Sequence, residues 1–150
     1  MKDENPASLL SSFILHPSSL KTSFILIIMM PDKPPALRER TKAFALRVIR
    51  LFGALPKRTD AQVIGRQVLR SGTSVGANYR EAHRARSNAE FVAKLGDCLK
   101  ELDETAYWLE LLGEAGIIPA ERLAALHDEC NQLIAIFTSI ARKVRMNDKA

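Results

Sequence analysis

The sequence predicts an all-α fold, an antiparallel up-down-up-down four-helix bundle, on three observations. Beyond Pro35 the apolar residues recur at alternating steps of three and four, the spacing that keeps one stripe of a helix facing a core. Proline and glycine cut this pattern into four lengths of about 18 to 28 residues, joined by turns short enough to make sequential helices antiparallel neighbours. Nowhere does the strict alternation of a half-buried strand compete.

The composition suits one compact domain over residues 37–146 with a short tail at 147–150. The chain has 150 residues, is 47% hydrophobic and 26% charged, and carries a formal net charge of +5. That is too small for a two-domain enzyme and too apolar for a disordered chain. The longest uncharged apolar run, Phe24 to Met30, is far short of the roughly 20 residues of a membrane span. Two cysteines give no disulfide framework, and the excess of cations suits a cytoplasmic protein that meets polyanions.

Residues 1–36 read differently. They hold Pro6, Pro17, Pro31, Pro34 and Pro35, many serines and no helical period. Ser12-Phe13-Ile14-Leu15 is echoed eleven residues later by Ser23-Phe24-Ile25-Leu26, but one echo is not a repeat array. The opening Lys2-Asp3-Glu4 is not the basic start of a signal peptide, and no small-x-small cleavage site follows Ile28. The expectation is a disordered or wrongly assigned extension, with the natural start at Met30.

The first ladder runs Leu37, Thr41, Phe44, Val48, Leu51, Leu55 and stops at Pro56. The second follows the cap candidates Thr59 and Asp60 and runs Ala61, Ile64, Val68, Gly72, Val75, Tyr79, Ala82. Gly65, Gly72 and Gly76 on or beside it allow a neighbouring backbone to come close, at about 1 kcal/mol each in helix propensity. The third opens with the capping segment Ser87-Asn88-Ala89-Glu90, runs Phe91, Leu95, Cys98, Leu102, Thr105, Leu109, Leu112, and ends at Gly113 or Gly116. The fourth has Pro119 in its first turn and runs Leu123, Leu126, Cys130, Leu133, Phe137, Ile140, Val144 into a basic tail.

Residues off the stripes carry the functional signals. Tyr107, Trp108 and Leu111 lie away from the third ladder, as Leu46, Ile49, Leu69 and Ile136 do from theirs, so a lone bundle exposes a broad apolar area that suits a homo-oligomer interface. Charge is divided unevenly: residues 37–86 hold 12 Lys and Arg against 3 Asp and Glu, whereas residues 87–121 hold 2 against 8. On the second helix Arg66, Arg70, Arg80 and Arg84 fall within an arc of about 80°, nearly opposite the core stripe. Such a rail serves either as a solubilising face or as a phosphate contact, since guanidinium forks match phosphate oxygens and clustering rewards counterion release. Between rail and core runs a polar line, Ser71, Ser74, Asn78 and Glu81, placed to hydrogen-bond across a close helix contact and lacking a nucleophile–base pair.

Enzyme motifs are absent from the chain: no phosphate loop, no GxSxG, no HExxH and no Cys-x-x-Cys. The most tempting metal set is His127 and Cys130 with Cys98 and His83, yet both cysteines occupy core ladder positions, where a thiol behaves as a small apolar group. No metal, cofactor or catalytic residue is expected.

The stretch Leu69-Arg70-Ser71-Gly72-Thr73-Ser74-Val75-Gly76-Ala77-Asn78-Tyr79-Arg80-Glu81-Ala82 resembles the signature of bacterial four-helix proteins encoded in intervening sequences of large-subunit ribosomal RNA genes. The motif residues are Arg70, Ser71, Ser74, Asn78 and Glu81, and the match continues through Glu90-Phe91, Leu99 to Thr105, and Leu112-Gly113. That family is similar to the accessory variability proteins of diversity-generating retroelements, basic pentameric barrels that bind nucleic acid and a reverse transcriptase. The resemblance implies a homopentameric ring, with the arginine rail touching RNA or an RNA–DNA hybrid, or else a protein-interaction scaffold for a partner such as a reverse transcriptase. Relatives carry Ala-Glu-Gly where this chain reads Arg80-Glu81-Ala82, so a straighter second helix is expected here.

Overall fold

The computed structural model describes residues 36–149. The extension expected over residues 1–36 lies, apart from Ala36, outside them. The described residues form four helices: α1 (Leu37–Ala54), α2 (Thr59–Ala82), α3 (Asn88–Glu114) and α4 (Ala120–Asn147). There is no strand among the described residues.

Each boundary has a local cause. The carbonyl of Ala36 accepts from the Glu39 and Arg40 N–H groups at 2.8 and 2.9 Å, which starts α1. At its far end Leu55 is extended (φ −68°, ψ 145°), as the residue before Pro56 must be. The cap candidates Thr59 and Asp60 prove to lie inside the first turn of α2, with Arg58 at the cap position. Asp60 still serves that end, accepting from the Ala61 N–H at 2.8 Å and from the Arg58 Nε at 2.9 Å, because a carboxylate is favoured in a first turn. Ser87 caps α3 by accepting from the Glu90 N–H at 3.1 Å, and Glu90 reaches back to the Arg86 N–H at 2.8 Å, one residue beyond the usual capping box. The helix passes Gly113 and closes at Gly116, whose φ of 65° is cheap only for glycine. The Ile117 and Ile118 N–H groups then bond back to the Leu112 carbonyl.

All seven residues of the third ladder are buried. The others are buried except Leu51, Ile64 and Ile140, which are half-buried. The buried stripe of α2 is wider than its ladder, adding Gly65, Ser71 and Gly76. The reason is position: α2 packs against α1 on one side and α3 on the other, α3 in turn packs on α4, and α1 meets α4 only sparsely. That last approach is held by Arg40, whose Nε donates to Glu129 at 2.7 Å and whose Nη2 donates to Gln132 at 2.6 Å.

A methyl group at Gly72 would stand 2.7 and 2.9 Å from the two γ-carbons of Val48, itself fully buried. Gly76 faces the Thr41 backbone at ordinary contact distance, and Gly65 faces the side chains of Leu55 and Phe52. On the other flank Thr105 Oγ1 donates to Ser71 Oγ at 2.8 Å, and Ser71 donates to the Gln67 carbonyl at 2.9 Å. Both hydroxyls are buried. No buried side-chain nitrogen or oxygen among the described residues lacks a partner.

Gly72→Ala is expected to lose about 1–2 kcal/mol of stability, because overpacking against Val48 exceeds the propensity gain. Gly96→Ala, into open space on α3, is expected to gain about 0.5–1 kcal/mol. Urea unfolding of both variants checks the pair, and equal stabilisation by both would show that α1 and α2 are not in close contact.

Candidate nucleic-acid interface

The outer face of α2 presents Arg66 and Arg80, both exposed and without an ion pair among the described residues. Arg84 falls in the turn past the end of α2, where its N–H bonds to the Glu81 carbonyl at 2.9 Å and keeps the backbone helix-like. It too is exposed. Arg70 differs. Half-exposed, it donates to Glu104 and, at 3.4 Å, to Glu101, both on α3. The rail is therefore three free guanidinium groups and one engaged by carboxylates. The hydrogen bond to Glu104 raises the Arg70 pKa, and the same bond, with a further one from Trp108, holds the Glu104 carboxyl below the usual carboxylate range.

The polar line is likewise turned mostly inward or sideways. Ser71 is buried against Thr105, Ser74 donates to the Arg70 carbonyl at 2.7 Å, and Glu81 accepts from Lys94 of α3 at 2.7 Å. Asn78 is half-buried between them. These residues join α2 to α3 and supply local backbone bonds. α2 runs unbroken through Ala82, which is fully buried.

Of the apolar residues off the third ladder, Tyr107 is 53% exposed, while Trp108 and Leu111 are half-buried. The Trp108 indole N–H donates to Glu104 at 3.2 Å, and the rings of Trp108 and Tyr107 lie 5.0 Å apart. Leu46 and Ile49 on α1 and Val63 on α2 are also exposed.

The metal set is dispersed. Cys98 and Cys130 point inward, toward the Val75 and Leu102 carbonyls at 3.6 and 3.2 Å, and burial pushes both thiols up to about 12. With no metal bound they stay protonated at neutral pH. His127 lies at the surface instead, 3.3 Å from Glu110 and 3.3 Å from the Asn131 amide, beside an apolar cleft of about 330 Å³ between α3 and α4. Among the described residues no group of three or more His, Cys, Asp or Glu is placed to hold a metal. Nor is any described helix long and apolar enough to cross a membrane.

A family model for the 23S rRNA-intervening sequence protein matches residues 36–139, most of the chain and all of α1 to α3. The chain belongs to this family. A crystal structure of a protein of unknown function from the S23 ribosomal protein family of Bacteroides thetaiotaomicron is similar to it, with 38% sequence identity and a TM-score of 0.66, over 69% of this chain and 96% of that one. Comparison with curated protein sequences gives no significant match.

Within this family fold, sequence reasoning found the arginines of α2 but not the carboxylates that face one of them. Glu101 and Glu104, one turn apart on α3, carry a signal in their spacing. Only the register between α2 and α3 turns that signal into a contact with Arg70.

Because its carboxyl is held low, Glu104 adds stability above the unfolded-state pKa, and this is lost as pH falls through the lower folded value. For a pair as exposed as this the contribution is expected to be small, within about 1 kcal/mol. Urea midpoints measured between about pH 6 and about pH 3 should fall less steeply for Glu104→Gln than for the parent. Equal slopes would remove the pair as a source of acid sensitivity.

Proposed function

We propose that this protein is a non-enzymatic, cytoplasmic, homo-oligomeric four-helix bundle that binds structured RNA or another nucleic acid through basic helix faces. The observation that carries the reading is charge: residues 37–86 hold 12 cations against 3 anions, and Arg66, Arg80 and Arg84 stand exposed and unpaired. Clustered guanidinium groups without carboxylate partners are what phosphate binding and counterion release reward. No cofactor enters this reading.

An up-down-up-down arrangement is supported by the order of contacts. Thr41 and Val48 of α1, then Leu55 just past its end, meet Gly76, Gly72 and Gly65 of α2 in descending order. Glu81 and Arg70 meet Lys94 and Glu104 in the same opposed sense. A ring of five comes from the resemblance to the retroelement accessory proteins, and the exposed Tyr107 with its neighbours Trp108 and Leu111 is the face offered for self-association. The second reading uses the same face as a scaffold for a protein partner such as a reverse transcriptase, without nucleic-acid contact.

A titration of the full chain against fluorescent stem-loop RNA and matched duplex DNA is expected to show binding that weakens steeply between about 50 mM and about 200 mM salt. Absence of binding at the lower salt would favour the scaffold. Light-scattering mass is expected to report several chains per particle, and Tyr107→Ser with Leu111→Ser to lower it while helicity is retained. A monomeric parent would overturn the assembly.

A further inference from the structure

The cations concentrate at one end of the molecule as well as on one helix. Gly76 against Thr41, Glu81 with Lys94, and Asn88 with Asp148 bring the start of α1, the α2–α3 turn and the end of α4 together. Residues 37–42, 79–90 and 141–149, which form this end, hold 10 Lys and Arg against 4 Asp and Glu, an excess greater than the whole chain's +5. At the other end, residues 51–62 and 108–124 hold 3 against 4.

The four acids at the basic end are all engaged. Glu39 lies 4.0 Å from Lys42, Glu81 accepts from Lys94, Glu90 accepts from the Arg86 N–H, and Asp148 accepts from Asn88. Most of the cations are not. Arg38, Arg80, Arg84, Arg142, Lys143 and Arg145 are exposed and have no ion pair among the described residues. Arg66 sits elsewhere on α2, beside Gly65 and its Leu55 contact, and Arg70 is held by α3.

We infer that nucleic acid is met by this end, with the α2–α3 turn (Arg80, Arg84) and the last turns of α4 (Arg142, Arg145) as separate points of phosphate contact. This rests on the nucleic-acid reading above and corrects its geometry from the length of one helix to an end face built from three chain segments. Helices packed about 8–10 Å apart make that face about 20 Å across, wide enough for cations on its two sides to meet separate phosphates of one nucleic acid. An anionic membrane is the less suitable occupant: of the large exposed apolar residues among those described only Met146 lies here, whereas lipid insertion needs an apolar face.

The test uses the full chain and two variants that remove equal charge. One is Arg84→Gln, Arg142→Gln, Arg145→Gln; the control is Arg50→Gln, Lys57→Gln, Arg122→Gln, at exposed positions away from the basic end. Both are checked for parental helicity and titrated with stem-loop RNA across a salt series and with phosphatidylserine vesicles. The end variant is expected to lose at least about tenfold in RNA affinity and about one unit of salt slope per arginine removed, and the control less than about threefold. Equal losses in the two variants would overturn the end-on contact while leaving nucleic-acid binding standing. A parent that binds no RNA would overturn both, and loss confined to vesicles would reassign the end to a lipid surface.

Discussion

The close approach of α2 to α1 is the constraint on which the rest of the structure depends. Val48 lies against the bare backbone of Gly72, with no room for even a methyl group between them. A helix that carries glycine at such a point gives up intrinsic propensity, by about 1 kcal/mol, for contact that only the folded state supplies. Its stability comes from its neighbours, and α2 has two. On the α3 side the approach is sealed by the Ser71–Thr105 hydroxyl pair, which satisfies polar groups that would be costly to bury alone. With both flanks occupied, α2 has only its outer face left for solvent, and the arginines of that face follow.

How those arginines are used depends on the neighbouring helix. α3 is acidic, and where its Glu101 and Glu104 come within reach, the Arg70 charge is neutralised. Exposed pairs of this kind contribute little to stability and more to the choice of partner and register. Their larger consequence here is subtraction: cations held by carboxylates, as Arg70 is by α3 and Arg40 by Glu129 of α4, cease to be available to an external anion, whereas Arg38, Arg142, Lys143 and Arg145 have no ion pair among the described residues. The distribution of free positive charge is thus a property of the packing, not of any one helix.

This explains how the sequence could be read in some respects and not in others. The third ladder could be read completely, because α3 is flanked by α2 and α4 and one continuous stripe serves both contacts. The second ladder understated α2, since Gly65, Ser71 and Gly76 carry no hydrophobic signal and are buried only by the closeness of the neighbours. The arginine arc was visible from helical angles alone, but such angles treat a helix in isolation. They could not reveal that Arg70 meets Glu104, that α2 stops before Arg84, or that the α4 cations lie beside the α2–α3 turn. Register between helices is a long-range quantity, set by side-chain packing that periodicity does not encode.

The buried polar groups of the interior are occupied with one another and with the backbone. The two thiols are buried, face backbone carbonyls and are pushed up to about 12 by burial, as core residues rather than surface groups. The buried hydroxyls bond to one another and to the helix backbone. Among the described residues every buried side-chain nitrogen and oxygen has a partner. Exposed cations without an ion pair among the described residues, such as Arg38, Arg80, Arg84, Arg142, Lys143 and Arg145, are densest where three segments of the chain converge. A polyanion brings acceptors in a row, and a converging set of fixed donors binds such a row with less ordering cost than the same groups strung along a flexible tail.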